Sequence, residues 1–229
     1  LSATTRMSFA GQSGNAIRGL CVAFWPANLD LIEYVTIASQ GNGIEFGNLT
    51  AGRQQGGVTS SSTRSVTAGG EGHTNVMEYV SISAGGNSFD FGDNTTKAAQ
   101  HAGCSNEIRG IFSGGYIIPG TNIDQITYIN IATKGDASEF GSLRSARYNV
   151  NSTSNSTRGL IAAGFDTTGR NWIEYVTISS QGGGNNFGDL TLARSYPAGA
   201  SNSTRGVIAG GSDPNVTNVI DYVTMATAG

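Results

Sequence analysis

Charge, cysteine, proline, histidine and long apolar runs are all scarce in this chain. Charged residues make up 13% of its 229 positions and the net charge is −3. That excludes a coiled coil, which needs charged flanks. It also leaves no basic field to draw nucleic acid or an anionic membrane. No run of 18 apolar residues occurs, so no segment reads as a transmembrane helix. The first ten residues, LSATTRMSFA, lack the charged-then-apolar layout of a secretory signal. Cys21 and Cys104 fall at unrelated points of the repeat described below, so two small buried thiols are expected rather than a bridge. His73 and His101 sit in different units with no ligand-like spacing, and each is expected in a loop or at the surface. There is no GxSxG elbow for a nucleophile. The glycine runs QGGGNN and AGGNS are followed by neither a helix nor a Lys-Ser/Thr pair, so they read as turns rather than phosphate loops. GSDPN and GNLT offer oxygens, but no clustered DxDxD loop for calcium is present. No cofactor and no metal site are expected.

What the chain has in quantity is glycine, 34 residues, together with Asn, Ser and Thr, and these are arranged in copies. An arginine recurs at Arg18, Arg64, Arg109, Arg158 and Arg205, and a tyrosine at Tyr34, Tyr79, Tyr128, Tyr175 and Tyr222. Phe-Gly follows the first four tyrosines at Phe46, Phe91, Phe140 and Phe187. A second basic residue then appears at Arg53, Lys97, Arg147 and Arg194, with Arg6 in the same slot at the start. Several registers with one period of roughly 47 residues define a repeat architecture.

Each unit reads as four short strands. The first follows the second basic residue, as in ARSYPAGA; a polar turn such as SNST leads to the second, RGVIAGG; a variable loop leads to the third, VIDYVTMAT; a glycine-rich turn leads to the fourth, around NNFGDL. The third strand carries bulk on both faces, as a strand stacked between sheets must. No segment has helical periodicity over three turns. The expectation is an all-β, five-bladed β-propeller of four-stranded antiparallel blades, one domain over 1–229. The blades are expected at about 5–50, 51–95, 96–143 and 144–191, with the fifth formed by 192–229 plus 1–4. The tyrosines and phenylalanines are expected as packing wedges between blades. Asn155 and Asn202 fill the recurring turn, which needs a turn former in any case.

The order arginine, apolar run, Gly-Gly, variable loop, tyrosine, aromatic residue, arginine is similar to the kelch repeat. Gly69-Gly70, Gly114-Gly115 and Gly210-Gly211 match its double glycine, whereas Ala163-Gly164 and Phe24-Trp25 depart from it. The kelch tryptophan is replaced throughout by the Phe of FGD, FGN or FGS. The wording EYVTI, DYVTM and FGDLT.AR also resembles repeats in tail-fibre and other structural proteins of tailed phages, including marine ones. That resemblance covers nearly the whole chain. It implies a virion localisation, or failing that a secreted or cell-surface one, with other virion proteins and a host-surface glycan or protein as partners. Neither nucleic acid nor membrane insertion is expected.

The fifth Phe-Gly would fall 12 residues after Tyr222, so the last blade is expected to be incomplete. Two closures fit: a ring with one weakened blade, or a blade completed by flanking segments. The second is favoured, because an open outer edge invites pairing with another chain; the same edge could serve strand addition to a neighbouring subunit.

Acids precede the tyrosine at Glu33, Glu78, Glu174 and Asp221, with Thr127 breaking the series. Repetition at equivalent sites suits a structural ladder that pairs with the recurrent arginines or with backbone donors. A catalytic site needs one copy of each group, so an enzyme is not expected. The non-repeating loops between second and third strands are better candidates. In kelch-like propellers these loops share a face with the inter-blade linkers, which would set Trp25, His73, Tyr116, Phe165, Arg170 and Asp213 around one channel mouth. Exposed aromatics there can stack on sugar rings or anchor a protein. The plainer alternative, weightier for each residue taken singly, is that Trp25 and Phe165 plug the loops against the blade ends. The function expected is a non-enzymatic phage appendage, in a tail fibre or decorating a capsid, with a carbohydrate-binding lectin or adhesin propeller as the alternative. A lectin with one site per blade should repeat its ligand groups, and these loops do not repeat.

Overall fold

The computed structural model describes residues 11–22, 28–72, 74–212 and 214–226. Over those residues the chain is an all-β, five-bladed propeller with no helix. Blade 1 comprises β1 (Gly11–Gly14), β2 (Arg18–Val22), β3 (Leu31–Thr36) and β4 (Ile44–Asn48). Blade 2 comprises β5 (Gly57–Ser60), β6 (Arg64–Ala68), β7 (Val76–Ser81) and β8 (Phe89–Asp93). Blade 3 comprises β9 (Ala102–Ser105), β10 (Arg109–Ser113), β13 (Gln125–Asn130) and β14 (Ser138–Ser142), with a small hairpin of β11 (Tyr116–Ile117) and β12 (Thr121–Asn122) between its second and third strands. Blade 4 comprises β15 (Asn151–Ser154), β16 (Arg158–Ala162), β17 (Arg170–Thr177) and β18 (Asn185–Arg194). Blade 5 has three strands among the described residues: β19 (Ala198–Ser201), β20 (Arg205–Ala209) and β21 (Ile220–Thr224). All are antiparallel meanders, and the expected strand order holds in every blade.

The register is the same each time. Leu20, Val66, Ile111, Leu160 and Val207 on the second strands face Tyr34, Tyr79, Tyr128, Tyr175 and Tyr222 on the third. The turn before each second strand is closed by an asparagine side chain where one is present. Asn155 Oδ1 accepts the Thr157 and Arg158 amides at 3.0 and 2.8 Å, and Asn15, Asn106 and Asn202 do the same in their blades. This is an Asx turn, which explains the recurrence of asparagine in SNST.

One blade cannot shield its own faces, and the core accordingly lies between blades. Leu20, Ile32, Phe46 and Leu49 of blade 1 meet Val80 and Ile82 of blade 2, and the same set recurs between blades 2 and 3, 3 and 4, and 4 and 5. The Phe of each Phe-Gly sits edge-on to its blade's tyrosine, with ring centroids 5.9–6.3 Å apart. The following glycine is required because the next blade's turn presses against it. A Cβ on Gly47 would lie 2.3 Å from the Gly86 carbonyl, and Gly86 N–H donates to the Phe46 carbonyl at 2.7 Å.

In blades 1 to 4 the arginine that opens the second strand stitches its blade to the next. It lies over its own tyrosine ring at 4.5–4.8 Å and donates Nη1 to two carbonyls of the following blade. Arg18 takes those of Ile82 and Ser83, Arg64 those of Ile131 and Ala132, Arg109 those of Ile178 and Ser179, Arg158 those of Met225 and Ala226. Around the axis a serine ladder binds the inner strands: Ser105 Oγ donates to Ser60 O, Ser154 Oγ to Ser105 O and Ser201 Oγ to Ser154 O, at 2.6–2.7 Å.

Four seams are packed in this way. Tyr34, Tyr79, Tyr128 and Tyr175 are therefore wedges, as expected. Tyr222 is not: it is 64% exposed and Ile220 is 67% exposed, whereas Ile32, Met77, Ile126 and Ile173 in the slot of Ile220 are fully buried. Val35 and Ile37 of blade 1 are likewise exposed, although Val80 and Ile82 in the same slots are buried. Among the described residues, nothing covers the faces of blades 5 and 1 that would form a fifth seam.

Candidate functional site

The recurrent acids are structural anchors. Glu78 pairs with Arg53, Glu174 Oε1 with Arg147 Nη1 at 2.5 Å, and Asp221 with Arg194 Nη2 at 2.9 Å. The second carboxylate oxygen of Glu174 accepts the Arg144 amide at 3.0 Å, and Glu78 accepts that of Thr50 at 2.8 Å. Each acid thus ties the chain entering its blade from the previous one. Arg6, the expected partner of Glu33, lies outside the described residues. In blade 3 both charges have gone from the slot. Thr127 Oγ1 donates to Asn94 Oδ1 at 2.9 Å, and Lys97 is exposed.

His101 lies in the linker just before β9, a loop position as expected, but it is not exposed: it is 6% accessible, its Nε2 accepts the Gly57 amide at 3.2 Å and its ring meets Phe112 at 5.7 Å. Burial pushes its pKa down to about 4, so it is neutral in the folded chain at pH 7. Of the expected buried thiols Cys104 is buried, with its pKa pushed up to about 12 by burial, while Cys21 is only half-buried. Both are free.

The linkers that enter successive blades meet the loops after the second strands on one face. Gln54, Ala99, Tyr148 and Ser195 in the linkers bridge to Glu71, Tyr116, Phe165 and Ser212 in the loops. The next linker residues, Gln55, Gln100, Asn149 and Tyr196, all have left-handed backbones at φ 54–61°. Their amides run around the axis: Gln100 N–H donates to Gln55 O, Asn149 N–H to Gln100 O and Tyr196 N–H to Asn149 O, at 2.8–3.1 Å. They rim a central cavity of about 450 Å³. Asn149 is 2% exposed, and among the described residues neither atom of its carboxamide has a hydrogen-bond partner.

This placement brings two of the six candidate residues together and joins them through a third that the sequence did not flag. Tyr148 sits between Tyr116 and Phe165, with ring centroids 5.4 and 5.6 Å away, making a half-exposed aromatic row across blades 3 and 4. Burial, and then the neighbouring Tyr196 and Tyr116, raise the Tyr148 phenol above its ordinary pKa. Arg170 is near the row but engaged: its Nε and Nη2 donate to Asp166 Oδ2 at 2.9 and 2.7 Å, and its guanidinium lies over Trp172 at 4.7 Å. Burial would raise the Asp166 carboxyl, but the bonds from Arg170 and the Thr167 and Thr168 amides outweigh it and hold the pKa at about 2. Trp25, His73 and Asp213 lie outside the described residues. Tyr148 and Tyr196 have Gln54 and Gln55 type neighbours in other units, so no repeat pattern singled them out. Among the described residues no three His, Cys, Asp or Glu side chains gather as metal ligands.

No protein-family model matches the chain, and no curated protein matches it.

Proposed function

We propose that this propeller is a non-enzymatic recognition module of a tailed-phage particle, in a tail fibre or another appendage, held by other virion proteins and contacting a host-surface protein or glycan. The observation that carries the reading is the aromatic row Tyr116–Tyr148–Phe165. It is half-exposed, spans blades 3 and 4, and is mounted on a scaffold whose repeated polar groups are spent on its own architecture. Rigid aromatics of this kind supply contact area at low entropic cost, and they are enriched among residues that dominate binding. The kelch-like and phage-like wording of the repeats supports the virion context by analogy. The formal charge of −3 offers no attraction to nucleic acid or an anionic membrane, and no helix among the described residues is long and apolar enough to cross one.

The Asn149 carboxamide at the cavity rim beside this row has no partner among the described residues and favours a glycan as the second reading, in which the module is a lectin or adhesin. Glycan arrays and host-envelope extracts probed with the whole chain test both. Tyr148→Ala is expected to weaken binding about tenfold or more, as for a central aromatic anchor. Binding that survives both Tyr148→Ala and Phe165→Ala unchanged would remove this face from the mechanism.

A further inference from the structure

Among the described residues the outer edge of β21 faces an unfilled slot, whose occupant is drawn four times elsewhere in the molecule. In blades 1 to 4 the third strand pairs with a Phe-Gly strand in one register: the tyrosine stands opposite the residue three before the glycine, as in Tyr34 and Ile44, and the apolar residue two before the tyrosine stands opposite the glycine itself, as in Ile32 and Gly47. The pairs Tyr79 with Phe89, Tyr128 with Ser138 and Tyr175 with Asn185 repeat this, as do Met77 with Gly92, Ile126 with Gly141 and Ile173 with Gly188. Among the described residues β21 pairs only with β20, so the same positions, Tyr222 and Ile220, face no strand.

The other wall of the slot belongs to blade 1. A Phe-Gly strand also accepts two amides from the glycine-rich turn of the following blade. Phe46, Phe91 and Phe140 carbonyls accept from Gly86, Gly135 and Gly182 at 2.7–2.9 Å, and those of Asn48, Asp93 and Ser142 accept from Ser88, Ala137 and Gly184 at 2.8–2.9 Å. The amides in these positions of blade 1 are those of Gly41 and Gly43. The phenylalanine itself fills the seam, 1–6% exposed in all four blades, against residues that match Val35 and Ile37.

We infer that the gap between blades 5 and 1 is a docking site for an extended segment of the pattern x-x-Phe-Gly-x-Leu, a fifth strand of the repeat's own type beyond the four already engaged. Its main chain would continue the blade 5 sheet at β21, its phenylalanine would sit against Tyr222, and its carbonyls would take the Gly41 and Gly43 amides. This is strand addition with a single side chain setting the register. Filling the slot also covers Ile220, Val35 and Ile37, so docking and ring closure are one event. The inference is independent of the aromatic face.

A labelled synthetic peptide, GGGNNFGDLTLAR, the sequence of residues 182–194, tests it against the whole chain. The expected result is saturable one-to-one binding in fluorescence anisotropy, with hydrogen-exchange protection gained at Ile220–Thr224 and at Gly41–Gly43. Replacing the peptide's phenylalanine by alanine should weaken binding at least about tenfold, the scale of losing a buried aromatic anchor. Ile220→Asp should abolish it without unfolding the free chain, because Ile220 is exposed there. Absence of saturable binding overturns the inference. So does protection confined to residues 170–177, the signature of exchange with β18, and so does undiminished binding to Ile220→Asp. Self-association of the chain through its open edges that the peptide does not dissolve would assign the slot to a second copy instead and equally overturn it.

Discussion

Blades 3 and 4 solve one problem in opposite ways. Both must fix the chain that enters the blade to the middle of its third strand, beneath the seam. Blade 4 does so with a fully buried ion pair, Arg147 and Glu174, both 0% exposed. Blade 3 does so without charge: Thr127 bonds Asn94, Ala98 fills the arginine slot, and the His101 nearby is buried and neutral. A buried pair returns its desolvation cost only through good geometry and further hydrogen bonds. Glu174 has both, since Arg144 N–H donates to its second oxygen. The contrast teaches that the repeat requires a polar anchor at this slot and not a particular charge.

Removing half of the blade 4 anchor should have the largest effect. Glu174→Ala strands a buried guanidinium and is expected to cost about 3–5 kcal/mol. Thr127→Ala at the matching position of blade 3 should cost about 1 kcal/mol, the worth of one neutral hydrogen bond. Urea titration of both variants measures the difference. Arg147→Met combined with Glu174→Thr and Leu143→Asn, which imports the Thr127–Asn94 hydrogen bond, should recover at least half of the loss. Equal costs for the two single variants would show that the blades do not differ energetically.

Acid should separate the two blades by a different route. The folded pKa of His101 is about 4, below the ordinary value near 6.5. Between those values the unfolded chain binds the proton and the folded chain does not, so stability falls as pH drops from about 6.5 to 4 and this contribution levels off below 4. The full loss is of order 3 kcal/mol. His101→Gln keeps an acceptor for the Gly57 amide and should flatten the profile over that window. A wild-type midpoint that does not move between pH 6.5 and 4 would mean that the imidazole is not held neutral.

How much of this was readable in advance follows from what repeats. The strand order, the tyrosine wedges and the acid-to-arginine ladder were legible because five or four copies of the same residue at one period leave few structural explanations. Thr127 was visible as a break in the series, but its compensation was not, because Asn94 is 33 residues away and His101 has no counterpart in other units. The loop position of His101 was legible, but its burial was not, since a lone histidine between Gln100 and Ala102 carries no apolar periodicity. Its burial comes from the neighbouring blade's Gly57, 44 residues away, and from Phe112 on the next strand. The candidate face was legible as a set of loops through the kelch resemblance. The linker residue Tyr148 was not, since it joins Tyr116 and Phe165 only through backbone bridges between the linker and loop segments. The serine ladder around the axis was present in the turns as a recurring Ser, but a small polar residue beside a turn is too common to signal an inter-blade bond.

The smallest effect belongs to Lys97. The linker bridges place Ala98, 2% exposed, in the slot of Arg53, Arg147 and Arg194, all 0–2% exposed, and Lys97, one residue earlier, lies in water. An exposed ammonium contributes little to stability, so Lys97→Ala should change it by no more than about 0.5 kcal/mol. Arg147→Ala in the same denaturation assay leaves a buried carboxylate unpaired and should cost several times more, about 3–5 kcal/mol. The reason the cation is lost from the slot is local. With Thr127 in place of an acid, no carboxylate holds a cation in the slot, and an unpaired ammonium would have to shed its hydration to enter it. Restoring the acid alone therefore sharpens the test: Thr127→Glu buries a carboxylate beside neutral His101 and should destabilise the blade. If Lys97→Ala instead cost as much as Arg147→Ala, the lysine would be acting as an anchor in solution, and the division between a charged blade 4 and an uncharged blade 3 would fall.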